Sequence, residues 1–174
     1  MAPTSLVVIE PATGRREIRA LVEESQGSPP AWVDGAHVVI VKRDRYDDVF
    51  LGLLEAATGR VTDRLRIRAL DFEVSGDTST AAALVDGDRV VIGPTASVLT
   101  TRRLPSIGPA LPAGDRVSGG IALSRDGRLV AIVIQGDAGP HRLAIYEQAA
   151  GEWNAGASFA LPAGVFNAIP SWLP

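Results

Sequence analysis

Polar and apolar positions alternate with a period of two along residues 64–69: Arg64, Arg66 and Arg68 fall on one side, Leu65, Ile67 and Ala69 on the other. A helix advances about 100° per residue and would scatter those arginines around its wheel, so the segment reads as a strand with one wet face. Short β-branched runs between turn residues continue the pattern: SLVVIE (5–10), HVVIV (37–41), VFLGLLE (49–55), RVVI (89–92), RLVAIVI (128–134) and RLAIYE (142–147). Two stretches compete as helices. REIRALVEES (16–25) places Ile18, Leu21, Val22 and Ser25 at helical spacing, and DDVFLGLLEAATG (47–59) starts on acidic residues and stops at Gly59. The strand is preferred in both, because the tip that follows VFLGLLE returns after RLAIY, where a helix is unconvincing.

Those tips carry a period. EPATGR (10–15), EAATGR (55–60) and EQAAGE (147–152) place Glu10 and Glu55 45 residues apart, and Glu55 and Glu147 92 apart, two steps of 46. Asp-Gly turns end at Gly35, Gly87 and Gly127, and the outer pair again spans 92. Two markers sharing one period indicate a repeat, and an all-strand repeat of this length indicates propeller blades. The expected first strands are 29–33, 80–85, 119–124 and 169–173, and the second strands 37–41, 89–92 and 128–134. Third strands fall at 5–10, 49–55 and 142–147, and fourth strands at 15–21, 60–70 and 152–161. Around 93–106 the run SVLTTRRL has lost its Gly tip and counts as degenerate. The expected fold class is therefore all-β: one domain over 1–174, built of β-propeller-type repeats of four-stranded antiparallel blades, about 3.8 units of ~46 residues. The chain would enter in a third strand and leave after a first. That pattern fits an unusually small ring, a piece of a longer propeller, or a half-ring completed by a second copy.

Composition narrows the function classes. Hydrophobic residues make up 46% of the chain, enough for a packed core, but aromatics only 5%, so Val, Leu, Ile and Ala must do most of the packing. A net charge of −3 gives no broad attraction to nucleic acid or anionic lipid. Cysteine is absent, which excludes disulfides and thiolate metal sites. MAPTSLVVIEPATG has neither a basic n-region nor a long apolar core, and no apolar run approaches membrane-spanning length. The compartment expected by default is the cytoplasm, or an exported location if a leader has been removed.

PAWVDGAHVVIV (30–41), IALSRDGRLVAIVI (121–134) and PSWLP (170–174) resemble the P-x-W-S-P-D-G-x-x-I/L-x-F/V signature of TolB-like propellers. WD40-like and actinobacterial LpqB-type propellers look similar. The resemblance covers nearly the whole chain in patches, with departures. WVDG (32–35) is one residue shorter than W-S-P-D-G, and ALVDG (83–87) has no Trp. TolB proteins also carry a separate N-terminal domain and about six blades, neither matched by this chain. The resemblance implies a blade fold and a bacterial binding or scaffold role, often exported, and no substrate.

Candidate chemistry is sparse. Asp34, Asp86 and Asp126 suggest repeated carboxylates, but Asp-Gly is also what a tight hairpin demands, and calcium loops concentrate more oxygen ligands than these. Trp32 and Trp172, 140 residues apart, are expected as equivalent core wedges between blades, and Trp153, just past a tip, as the exposed tryptophan. Arg60, Arg64, Arg66 and Arg68, with the Arg102–Arg103 pair, read as a charged outer strand diluted by Asp63 and Asp71. His37 and His141 lack metal spacing. Ser124-Arg-Asp-Gly reads as a turn, and Asp44, Asp47 and Asp48 as a solvated loop. Asn154 and Asn167 are the only asparagines, thin material for a metal cage.

No catalytic, cofactor-binding or metal residue is assigned, and no cofactor is expected. The expected function is a non-catalytic binding or scaffold module that presents loops 22–31, 42–48, 71–79, 105–118 and 135–141 to a protein or small ligand. Nucleic acid is not an expected partner; a second copy completing a ring is one of the three readings of the unit count. The alternatives are a metal-dependent hydrolase or lactonase-like propeller, and the regulatory propeller of a larger peptidase.

Overall fold

The computed structural model describes residues 4–9, 13, 16–22, 30–43, 49–65, 69–85, 89–100, 108–136, 139–163, 168 and 170–172. Strands β1 (Thr4–Ile9) and β2 (Arg16–Val22) pair antiparallel as a two-stranded sheet. A first four-stranded meander follows: β3 (Ala31–Trp32), β4 (His37–Arg43), β5 (Val49–Glu55) and β6 (Val61–Leu65). The middle sheet has three strands, β7 (Ala69–Val74), β8 (Thr80–Val85) and β9 (Arg89–Pro94), and runs into the short helix α1 (Thr95–Thr100). The last sheet is again a four-stranded meander: β10 (Arg116–Leu123), β11 (Leu129–Gln135), β12 (His141–Ala149) and β13 (Glu152–Ala160). Among the described residues, the two stretches that competed as helices form strands β2 and β5, the latter followed by a turn at 56–58.

The middle sheet is buried on both faces, which is why TAAALV and RVVI are apolar runs and not alternations. Ala81, Ala83, Val85, Val91 and Phe72 pack with Val33, Val39 and Leu51 of the first meander. The opposite parity, Ala82, Leu84, Val90 and Ile92, packs with Val117, Ile121, Val130 and Ile132 of the last. Period two thus assigns one strand to two cores, and the alanines of β8 let the neighbouring sheets approach closely. The first meander, the middle sheet and the last meander stack in chain order.

The repeat is visible in single hydrogen bonds. The amide of Ala56 donates to the Ala36 carbonyl at 2.8 Å, and 92 residues on the amide of Gln148 donates to the Arg128 carbonyl at 2.9 Å. Each bond ties a Glu-containing tip to the hairpin turn that opens the same sheet. The middle unit departs from the expected spacing. The turn-closing bonds are Val33 N to His37 O, Ser75 N to Thr80 O and Ser124 N to Leu129 O, so the steps are 42 and 49 residues, unequal around the 46 read from the sequence. The middle counterpart of Asp126 is therefore Asp77, not Asp86. Positions 86–88, with Asp86, lie outside the described residues; Val85 pairs with Arg89 and Thr80 with Pro94, so β8 and β9 run antiparallel. Accordingly 80–85 is a second strand and 89–92 a third. The sequence misled because Thr78 stands where Gly127 stands in the later turn, and both have positive φ, +60° and +71°.

Two further boundaries shift. Residues 60–70 are not one strand: β6 ends at Leu65 in one sheet and β7 begins at Ala69 in the next. In the unit around 93–106, expected to be degenerate, Ser97–Thr100 of SVLTTRRL belong to α1, which buries Val98 against the first core, and 101–104 lie outside the described residues.

Candidate functional site

The hairpin turns β7–β8 and β10–β11 lie side by side and are built alike. In the first, the Ser75 hydroxyl, the Ser79 amide and the Ser79 hydroxyl all donate to Asp77 Oδ1, at 2.6, 3.0 and 2.8 Å, and the Thr80 amide donates to Ser75 Oγ. In the second, the Ser124 hydroxyl and the Arg128 amide donate to Asp126 Oδ1 at 2.8 and 3.1 Å, and the Leu129 amide donates to Ser124 Oγ. A short polar side chain that bonds its own backbone fixes a turn without help from the sheet. The donors also set the charge. The Ser75 hydroxyl, with the Ser79 amide and hydroxyl, holds Asp77 at about 2, and the Ser124 hydroxyl and Arg128 amide hold Asp126 below the ordinary carboxylate range. The first-sheet turn varies the theme. Asp34 Oδ1 accepts from the Ala36 and His37 amides, and the His37 ring meets both carboxylate oxygens. Burial is the largest single influence on Asp34 and pushes it up, but the bonds from Ala36 and His37 together outweigh it and hold the carboxyl below its ordinary value.

Asp77, Ser124, Arg125, Asp126 and Trp172 line a cleft of about 540 Å³ between the two turns. Arg125 crosses to the neighbouring turn, where a Cβ on Gly76 would stand 2.5 Å from its Cγ, so only glycine leaves room for the stem. Trp172 is anchored by its indole nitrogen, which donates to the Ala122 carbonyl at 3.2 Å, while the Gly120 amide donates to the Ala168 carbonyl. Ala168 and Trp172 thus both bond to the backbone of β10.

A second polar group sits on the inner strand β7. Asp71 is 6% exposed, accepts from its neighbour Phe72, and reaches across to accept from the Ile121 amide at 2.8 Å. Glu73 shares its face, and burial, then the nearby Asp71 charge, push it to about 7. A third group lies at the far end of the last sheet. Ser118 Oγ is 2.9 Å from His141 Nδ1, and Arg142 pairs with the buried Asp115.

Several sequence expectations are corrected here. Trp32 is 47% exposed and is not a core wedge, whereas Trp172 is half-buried. Trp172 is held on β10 by its indole bond to the Ala122 carbonyl. Trp153 is not the exposed tryptophan: it pairs with Gln148, on the parity of Tyr146, and packs against the second core. Asp71 dilutes no surface patch, being buried between sheets. The expected loop 71–79 is strand as far as Val74. Arg66, Arg68, Arg102, Arg103, Asp44, Asp47, Asp48, Asp86 and Asn167 lie outside the described residues, as do the side chains of Arg64 and Asp63. Arg60 and Asn154 are exposed. The cleft itself was missed. Its one signal in the sequence is the S-x-D pattern shared by 75–77 and 124–126, which carries Gly in different places.

Among the described residues no three His, Asp or Glu side chains form a group able to hold a metal, and no helix is long and apolar enough to cross a membrane.

No family model and no curated protein matches the chain. Solved structures do. TolB from Acinetobacter baumannii is similar at 17% identity with a TM-score of 0.63, over 88% of this chain and 37% of that one. A protein from Lactobacillus plantarum is similar at 14% and 0.55, over 90% and 50%. Oligogalacturonate lyase from Vibrio parahaemolyticus is similar at 9% and 0.54, over 91% and 47%. The fold is that of a TolB-like β-propeller, and the chain spans half or less of each of these proteins.

Proposed function

We propose that this chain is a binding module whose docking site is the cleft between the Asp77 and Asp126 turns. The observation that carries this reading is convergence. Two adjacent blades present the same rigid turn, and between them lie ionised carboxylates, a guanidinium without an ion-pair partner among the described residues, and an anchored indole. Rigid turns on a strand framework are where propellers place recognition at low entropic cost. The partner is a protein or a small ligand; a net charge of −3 does not favour nucleic acid. The similarity to TolB and to a lyase supports the fold and leaves binding and catalysis to be decided at the site.

The test is a screen of protein and small-molecule partners against the wild-type chain and the double variant Arg125→Glu, Trp172→Ala. A partner that binds the wild type and loses about tenfold or more in affinity for the variant supports the cleft. A partner bound equally by both moves the docking site elsewhere.

The enzyme reading has one observation in its favour, the 2.9 Å approach of Ser118 to His141 on the irregular stretch of β10 between Val117 and Ile121. A fluorophosphonate probe that labels the wild type but not Ser118→Ala would support it. Labelling of neither would remove it.

A further inference from the structure

We infer that the cleft at Trp172 takes a neutral oligosaccharide, an inference that rests on the binding-module reading above. Trp172 spends its only polar atom on the Ala122 carbonyl, so what it offers the cleft is apolar ring. Asp77 and Asp126 spend only Oδ1 on their turns. Among the described residues Oδ2 of each has no partner. Arg125, with its stem over Gly76, supplies donors and has no ion-pair partner among the described residues. The lining therefore combines an apolar platform, two acceptor carboxylates and one donor fork around about 540 Å³, within the roughly 300–1,000 Å³ of small-molecule sites.

Four ligand chemistries compete for such a lining. An apolar ligand would strip water from three charges and return nothing. An anion would meet two carboxylates against one guanidinium. A cation would meet Arg125, which Gly76 seats between the turns. A pyranose has a face of C–H groups that stacks on indole and a rim of hydroxyls that both donate to carboxylates and accept from guanidinium. It alone satisfies every group without a net charge to oppose.

The experiment uses the ¹⁵N-labelled chain, observing the Trp172 indole N–H, assigned with Trp172→Phe, and the amides of 124–127. Cellohexaose, maltohexaose and chitohexaose are the neutral probes, oligogalacturonate the acidic one and hexalysine the cationic one. The expected result is saturable shifts with a neutral probe, weakened about tenfold or more in Trp172→Ala and in Asp126→Asn, and about tenfold weaker binding of oligogalacturonate. Asp126→Asn keeps the turn's acceptor oxygen, so it reads the site even if Trp172→Ala unfolds. Neutral binding that survives both variants overturns the inference. Shifts with only the acidic or only the cationic probe overturn the neutral oligosaccharide as ligand and leave the cleft as the docking site. Silence at these signals with every probe counts against both.

Discussion

Asp71 Oδ2 accepts from the Ile121 amide at 2.8 Å, a buried bond that crosses from the middle sheet to the last over 50 positions of sequence. It joins the inner strands of two blades where no ladder connects them. A hydrogen bond to a buried charged group contributes about 1.5–3 kcal/mol, and removing the acceptor also strands the Ile121 amide. Asp71→Ala is expected to lower stability by about 2–3 kcal/mol, read as a fall in the urea midpoint. A change within about 0.5 kcal/mol would show that water replaces the carboxylate there.

Thr78 carries the strain of the middle turn. A β-branched residue at φ +60° occupies a conformation that costs little only for glycine. Thr78→Gly keeps both backbone bonds at that position, to Ser75 O and from Thr95 Oγ1. It should raise stability by about 0.5–1 kcal/mol, the relief of strain less the extra entropy of the unfolded glycine. Gly127→Thr should do the reverse, and more strongly, because its Cβ would also stand 2.8 Å from Thr80. Thermal unfolding of the pair tests both directions.

Glu73 makes folding sensitive to pH near neutrality. Burial, then the Asp71 charge, raise it from 4.5 to about 7. Below pH 4.5 folded and unfolded chains both hold the proton, and the group costs nothing. Between 4.5 and about 7 the folded chain keeps a proton that the unfolded chain has released, so stability falls as pH rises. Above about 7 the loss is complete and flat. The urea midpoint should be lower at pH 8 than at pH 5, and Glu73→Gln should remove most of that difference. Asp77 titrates in a separate acid window, since its depressed value of about 2 makes its contribution disappear only as pH falls below the ordinary carboxylate range.

Phe72 is among the largest fully buried side chains and fills the contact between the first and middle sheets. In a chain so poor in aromatics, its neighbours Ala81 and Ala83 are too small to close a gap. Phe72→Ala should cost about 3–5 kcal/mol, and Phe72→Leu appreciably less, in chemical denaturation.

The sequence carried the blade architecture because period-two patterning and turn chemistry are local properties. The tips at 55–60 and 147–152 and the turns at Asp34 and Asp126 were legible for that reason. The middle unit is not legible in the same way, because its turn lacks the Gly after Asp that marks the others. Thr78 holds the same backbone conformation at an energetic cost, while Asp86-Gly87 offers the expected letters elsewhere in the sequence. Trp32 and Trp153 were exchanged for a different reason. Exposure depends on what lies beyond the strand, and for Trp153 the parity shared with Tyr146 was the available clue. The cleft needs two turns from different blades, 49 residues apart, and no single segment announces it.

The neighbour-to-neighbour stacking of the sheets has a mechanical consequence. The first meander and the last each pack on the middle sheet, and the main contacts outside the sheets join adjacent ones only. Tension applied at the two ends would therefore be borne in series, with each blade peeling away as its own unit and the doubly covered middle one yielding last.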